Sequence, residues 1–169
     1  MNIDLHSTDP IPDSLAVRVG HDCYSDWHVI TQEQVYQHAQ TSGDGEGEWV
    51  HLDPVRAARE LPYGGTIVQG FLQVAHLIRL STQATRYQGG FDQNHALNYG
   101  FDRLRFVQPL PVGVRFRAYV NTVSVTPRPP KGYLLCQRVR LELESGQPTL
   151  VADWLFFVSH KALQGNSDD

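Results

Sequence analysis

The chain has 169 residues, 41% of them hydrophobic and 19% charged, with a formal net charge of −4. That length suits one domain with one buried core, and the lack of a basic face or a run of about 18 apolar residues excludes a nucleic-acid surface and a bilayer span. The N-terminus carries Asp4, Asp9 and Asp13 without a basic or apolar leader segment, so no signal peptide is read there and a cytoplasmic protein is expected. Cys23 and Cys136 have neither CxxC nor Cys/His spacing, which argues against a disulfide framework and a metal site.

In chain order, Leu15 to Tyr24 alternates apolar Leu15, Val17 and Val19 with smaller or polar residues and is predicted as a strand broken at Gly20. Thr31 opens a helix through the capping box "TQEQ", which carries Val35, Tyr36 and Ala39 and stops at Gly43. After the loop "SGDGEGEWVH", Asp53 and Pro54 form the cap and first turn of a short helix ending near "LPYGG". From about Thr66 to Thr82 runs the most apolar helix-length segment, predicted to be buried nearly all round, with Ile67, Phe71, Val74 and Ile78 on one face.

The second half reads as strands: "ALNYGFDRLRFV", "VRFRAYVNTVSV", "GYLLCQRVRLELE" and "TLVADWLFFV", joined by Pro/Gly turns too short for parallel crossovers. Leu135, Val139, Leu141 and Leu143 alternate with Arg138, Arg140, Glu142 and Glu144, giving each strand one buried and one solvated face. The fold class is therefore α+β. A single domain over residues 1–160 is expected, a curved antiparallel sheet wrapping the long helix, with a disordered tail at 161–169.

Such a helix and sheet make a hot-dog arrangement, and here the chain resembles the MaoC-like hydratase/dehydratase family. The resemblance runs from about Gly20 to Val158 and rests on "SDWHVITQEQV", "TSGD", "WVHLDPVRAA", "PYGGTIVQGFL", "NYGFDRLRFVQPLPVG" and "VADWLFFV". It implies an (R)-specific enoyl-CoA hydratase or 3-hydroxyacyl dehydratase: water added to, or removed from, an acyl thioester carried on coenzyme A or an acyl carrier. No metal or redox cofactor is implied, and a homodimer is.

The chemistry needs a base for water, a proton for C2 and a donor for the thioester oxyanion. By resemblance His51 is the imidazole. The family's carboxylate is an Asp five residues before it, but that position here is Glu46, and the Asp of the matching "SGD" is Asp44, seven residues before. Both carboxylates remain candidates. Gly70 matches the glycine whose N–H forms the oxyanion hole, within Val68-Gln69-Gly70 where the family commonly has Ala-His-Gly. Tyr63, Gly64, Gly65 and Gln69 are candidate substrate contacts, and Arg103, Arg105, Arg128 and Lys131 candidates for nucleotide phosphates. His76 is read as a core residue or dimer contact, and His21, His28, His38 and His95 as lacking a partner at a telling spacing. Two other functions fit the same scaffold: an acyl-CoA thioesterase, and a non-catalytic acyl-thioester binder or partner subunit.

Overall fold

A computed structural model describes residues 10–86, 96–128 and 132–163. Six short-to-long helices and six strands follow in the order α1 (Asp13–Ala16), β1 (Asp22–Tyr24), β2 (His28–Val29), α2 (Gln32–Ser42), α3 (Trp49–Leu52), α4 (Pro54–Glu60), α5 (Gly70–Thr85), β3 (Ala96–Phe106), β4 (Arg115–Arg128), β5 (Gly132–Leu143), β6 (Pro148–Ser159) and α6 (His160–Leu163). The strands form one sheet in the order β1-β4-β5-β6-β3, with β2 also on β4, and every named strand pair is antiparallel. This is the expected α+β architecture. Short turns joining long strands leave no other pairing mode.

Helix α5 lies on one face of the sheet. Leu72, Leu77 and Leu80 from the helix meet Phe116, Ala118, Val120, Val139, Leu141, Leu150 and Trp154 in one continuous core. Full burial of a leucine contributes about 1.5–3 kcal/mol, so this contact holds the helix against the sheet.

The boundaries of α5 correct the sequence expectation. Thr66 to Val68 are extended, because the Val68 N–H donates to the Leu110 carbonyl (2.8 Å) and the Val112 N–H to that of Thr66 (2.9 Å). Helix formation waits until Gly70 and runs on to Thr85. Nor is the helix buried all round: Phe71 is 63% and Ile78 56% exposed, whereas Leu77 is 0%. Of the face expected from sequence, Phe71 and Ile78 are exposed, while Val74 packs against the core.

A further correction lies near the N-terminus. Leu15 to Tyr24 is not one strand: the Leu15 and Ala16 N–H groups close a helical turn on the Pro12 carbonyl, Val19 makes a single bridge to Thr122, and Asp22–Tyr24 pairs with β4 as a short strand. Leu15 is buried, but Val17 and Val19 are exposed, so the alternation marked no sheet face. At the C-terminus His160–Leu163 form α6, with Leu163 packed on a small second core. The rest of the expected tail lies outside the described residues.

The outer face of the sheet differs from a solvated one. Glu142 and Asp153 are each only 4% exposed, the first bonded by Arg117 and Arg140, the second by Arg103 and Arg138. The arginines lie over the carboxylates and bring the alternation of β5 to an end at Glu142.

Candidate active site

The loop from Gly43 to Glu48 connects α2 to the one-turn helix α3. Gly43, Gly45 and Gly47 all have positive φ (74°, 84° and 76°), a backbone path that side-chain-bearing residues resist. Gly45 also admits close approach: a Cβ there would lie 2.9 Å from Cδ2 of His51 and 3.5 Å from the Gln69 side chain. The residue next to Asp44 is thus packed against the imidazole ring.

His51 is held from several sides. Its carbonyl accepts from Nε2 of Gln32 on α2 (2.8 Å), and the preceding carbonyl, of Val50, accepts from the Ile67 N–H (3.0 Å). Thr66 Oγ1 in turn donates to Gln32 Oε1. Ring Nδ1 lies 2.7 Å from the Ile67 carbonyl oxygen, which can only accept, so Nδ1 carries the proton in the neutral ring. Nε2 then presents a lone pair. Its near neighbour is Glu48 Oε2 at 3.6 Å, a side chain 63% exposed while that of His51 is 12% exposed.

The three acidic groups of the loop diverge. Asp44 Oδ2 lies 3.2 Å from Nε2 of His38. Glu46 is exposed and borders a surface hollow with Glu33, Tyr36, Gln40 and Leu52. Glu48 faces His51. His38, read from sequence as partnerless, therefore has a partner six residues on; helix α2 ends between the two and the Gly43 turn folds Asp44 back over its last turns. The i,i+3 spacing of Glu48 and His51 is the sequence signal for this contact.

Gln69 is completely buried, and its Nε2 donates to the carbonyls of Val35 (3.0 Å) and Asp44 (3.3 Å). Gln69 thereby ties α2 and the glycine loop to the start of α5. Gly70 occupies the first helical position, where an amide N–H has no acceptor within the helix. Its Cα faces the Phe106 ring, and an added Cβ would come within 2.7 Å of that ring. Close packing and an available N–H thus coincide at this glycine. Tyr63 is 43% exposed beside the turn at Gly64 (φ 72°) and Gly65.

The candidate phosphate ligands are dispersed. Arg103 is engaged with Asp153 on the outer sheet face, and Arg105 donates to the Leu104 carbonyl (2.8 Å) from an exposed position. Arg128 ends β4, and Lys131 and His95 lie outside the described residues. His28 and His76 stand with ring centroids 5.0 Å apart beside Phe116, which corrects the reading of His28 as isolated. Burial first, then the charges of His28, Arg79 and His38, push the His76 ring down to about 4. Among the described residues no three His, Cys, Asp or Glu side chains are grouped to hold a metal ion. No helix among them is long and apolar enough to cross a membrane.

The model of the MaoC-like domain matches residues 16–131, more than half of the chain. The chain belongs to the MaoC-like domain family. This MaoC-like chain is 45% identical over 101 residues to 3-hydroxyacyl-thioester dehydratase Z of Mycobacterium tuberculosis (strain ATCC 25618 / H37Rv), covering 60% of the chain and 63% of that relative. It is 32% identical over 133 residues to nodulation protein N of Rhizobium meliloti (strain 1021), covering 78% and 80%. Among solved structures it resembles the unliganded R-hydratase PhaJ1 of Pseudomonas aeruginosa, with a TM-score of 0.67, 20% identity, and 86% and 84% of the two chains covered. That last likeness establishes the hot-dog fold.

Proposed function

We propose that the protein is a hydro-lyase acting on acyl thioesters: it adds water across C2=C3 of a trans-2-enoyl thioester, or removes it from the 3-hydroxyacyl form. The dehydratase named above acts, by its name, on a 3-hydroxyacyl thioester, and that substrate class is carried to this chain here. The observation that carries the reading is the His51 ring, whose Nδ1 lies 2.7 Å from the Ile67 carbonyl oxygen and so leaves Nε2 as the basic nitrogen of the neutral ring, beside the glycine loop and near the start of α5.

In the hydration direction His51 Nε2 takes a proton from water as its oxygen bonds to C3. The C2=C3 electron pair moves onto the thioester, whose oxyanion accepts from the Gly70 N–H at the positive end of α5. The imidazolium then returns the proton to C2, so atoms and charge balance. Asp44 is assigned the second contact to the water. Its backbone adjoins the His51 ring through Gly45, whereas Glu46 borders the hollow on α2. Tyr63, Gly64 and Gly65 are assigned to the substrate approach. Gln69, being buried, is assigned to holding the loop.

A homodimer in the cytoplasm completes the reading, with a free small-molecule thioester as substrate and no resident cofactor. Strand β3 is a sheet edge with Leu97 (64%), Tyr99 (62%) and Phe106 (46%) exposed, and such an edge calls for a covering partner.

The test is incubation with crotonyl-CoA while enoyl absorbance and free thiol are followed together. Absorbance lost without thiol release is expected. Thiol release would assign a thioesterase, and binding without either change would assign a non-catalytic binder.

A further inference from the structure

The glycines on both sides of Asp44 leave its backbone few restraints of its own, so the placement of its carboxylate is set from outside. Three contacts set it. The Asp44 N–H donates to Ser42 Oγ (3.1 Å), and that hydroxyl donates to the His38 carbonyl (2.6 Å). The Asp44 carbonyl accepts from Gln69 Nε2 (3.3 Å). The carboxylate itself meets the ring of His38, Oδ2 to Nε2, at 3.2 Å.

Only the last of these contacts fixes the direction of the side chain. The His38 side chain is 17% exposed and that of Asp44 33%, so the pair is partly shielded from water. His38 stands on α2, which is anchored through buried Val35 and Ala39 and through the Gln69 bond to the Val35 carbonyl. A ring on a packed helix is a rigid post, and a carboxylate in a glycine loop needs one. On α5, His76 is close enough to His38 to feel its charge, and Glu46 borders α2 two residues beyond Asp44.

We propose that His38 is a positioning residue for the hydro-lyase reaction: its Nε2–H holds the Asp44 carboxylate at the angle from which it shares the reacting water with His51. This rests on the function proposed above. A displacement of about an ångström in a reacting geometry can cost about 10²-fold in rate, so the contact should be read in kcat and not in substrate binding.

The experiment measures kcat and KM for crotonyl-CoA hydration by the full chain and by His38→Phe, His38→Gln, Asp44→Asn and the double variant His38→Phe/Asp44→Asn. His38→Phe is expected to lower kcat about 10- to 100-fold with KM within about twofold. His38→Gln, which keeps an N–H donor, should recover most of the loss. The double variant should be no slower than Asp44→Asn alone, since both changes remove one interaction. Circular dichroism checks folding; if His38→Phe does not fold, His38→Asn, which is polar but too short to reach, replaces it in the same comparison.

Full kcat in His38→Phe beside a slow Asp44→Asn, or losses that multiply in the double variant, would overturn the positioning role alone. An unaffected Asp44→Asn would remove Asp44 from the reaction and this role with it. A wild-type protein without hydration would overturn the reaction itself.

Discussion

His51 Nδ1 and the Ile67 carbonyl oxygen are 2.7 Å apart, and that one contact decides which nitrogen of the catalytic candidate is free. Ile67 is placed by the extended stretch that precedes α5, so the tautomer of His51 is a consequence of where the central helix starts. In neutral His51 the proton should reside on Nδ1. Nitrogen-15 spectra of the imidazole rings above neutral pH should show this tautomer for His51, and an Nε2–H signature would contradict the base assignment.

Gly45 and Gly47 make a matched pair. Both have positive φ, so alanine at either should cost about 1–2 kcal/mol in backbone conformation. Only at Gly45 does a Cβ meet something, Cδ2 of His51 at 2.9 Å, while nothing lies within 4 Å of one at Gly47. Gly45→Ala should therefore lower the rate of crotonyl-CoA hydration at least ~10-fold, with Gly47→Ala close to wild type. Thermal unfolding should show both variants destabilised, with Gly45→Ala the worse by about 1–2 kcal/mol.

Gly70→Ala tests the start of the helix. The atoms that its Cβ would meet belong to the far end of the Phe106 side chain, which is 46% exposed and can swing aside. The cost in stability should stay within about 1 kcal/mol. The displaced ring would disturb the approach to the Gly70 N–H, and hydration should fall ~10-fold or more. The double variant Gly70→Ala/Phe106→Ala should recover part of that loss, and a single variant at full rate would take Gly70 out of the site.

Stability should fall in mild acid through His76. Its folded value of about 4 lies below the ordinary histidine value of 6.5, so the unfolded chain takes up the proton first. The contribution is complete above pH 6.5 and is lost as pH falls through about 4. Urea unfolding near neutral pH and near about pH 4.5 should show wild type losing about 1–2 kcal/mol more than His76→Gln, a figure reduced for solvent screening. Equal losses would remove His76 as the cause.

Much of the fold was legible because local signals and packing agree. The box at Thr31 and Gln34, the Asp53 cap with Pro54 and the four long strands all form as read. The start of α5 was not legible, because the pairing of Thr66–Val68 with 110–112 is a long-range competitor that an apolar run does not reveal. Leu15 and Val19 misled in a related way: two or three alternating residues fit a helical turn as well as a strand. Within the site, His51 and Gly70 stood out through their motif blocks. The His38–Asp44 contact did not, since it depends on a left-handed turn at Gly43 that folds the loop back on its own helix.

The central claim is that His51 Nε2 exchanges the proton with water, and His51→Gln tests it most directly. Glutamine nearly matches the imidazole in reach but cannot act as a base, so substrate binding should persist while kcat falls. The rate of crotonyl-CoA hydration, measured beside direct binding of the thioester, should drop by about 10²–10⁴ with affinity within a fewfold of wild type. A His51→Gln protein that hydrates within about tenfold of wild type would contradict the account.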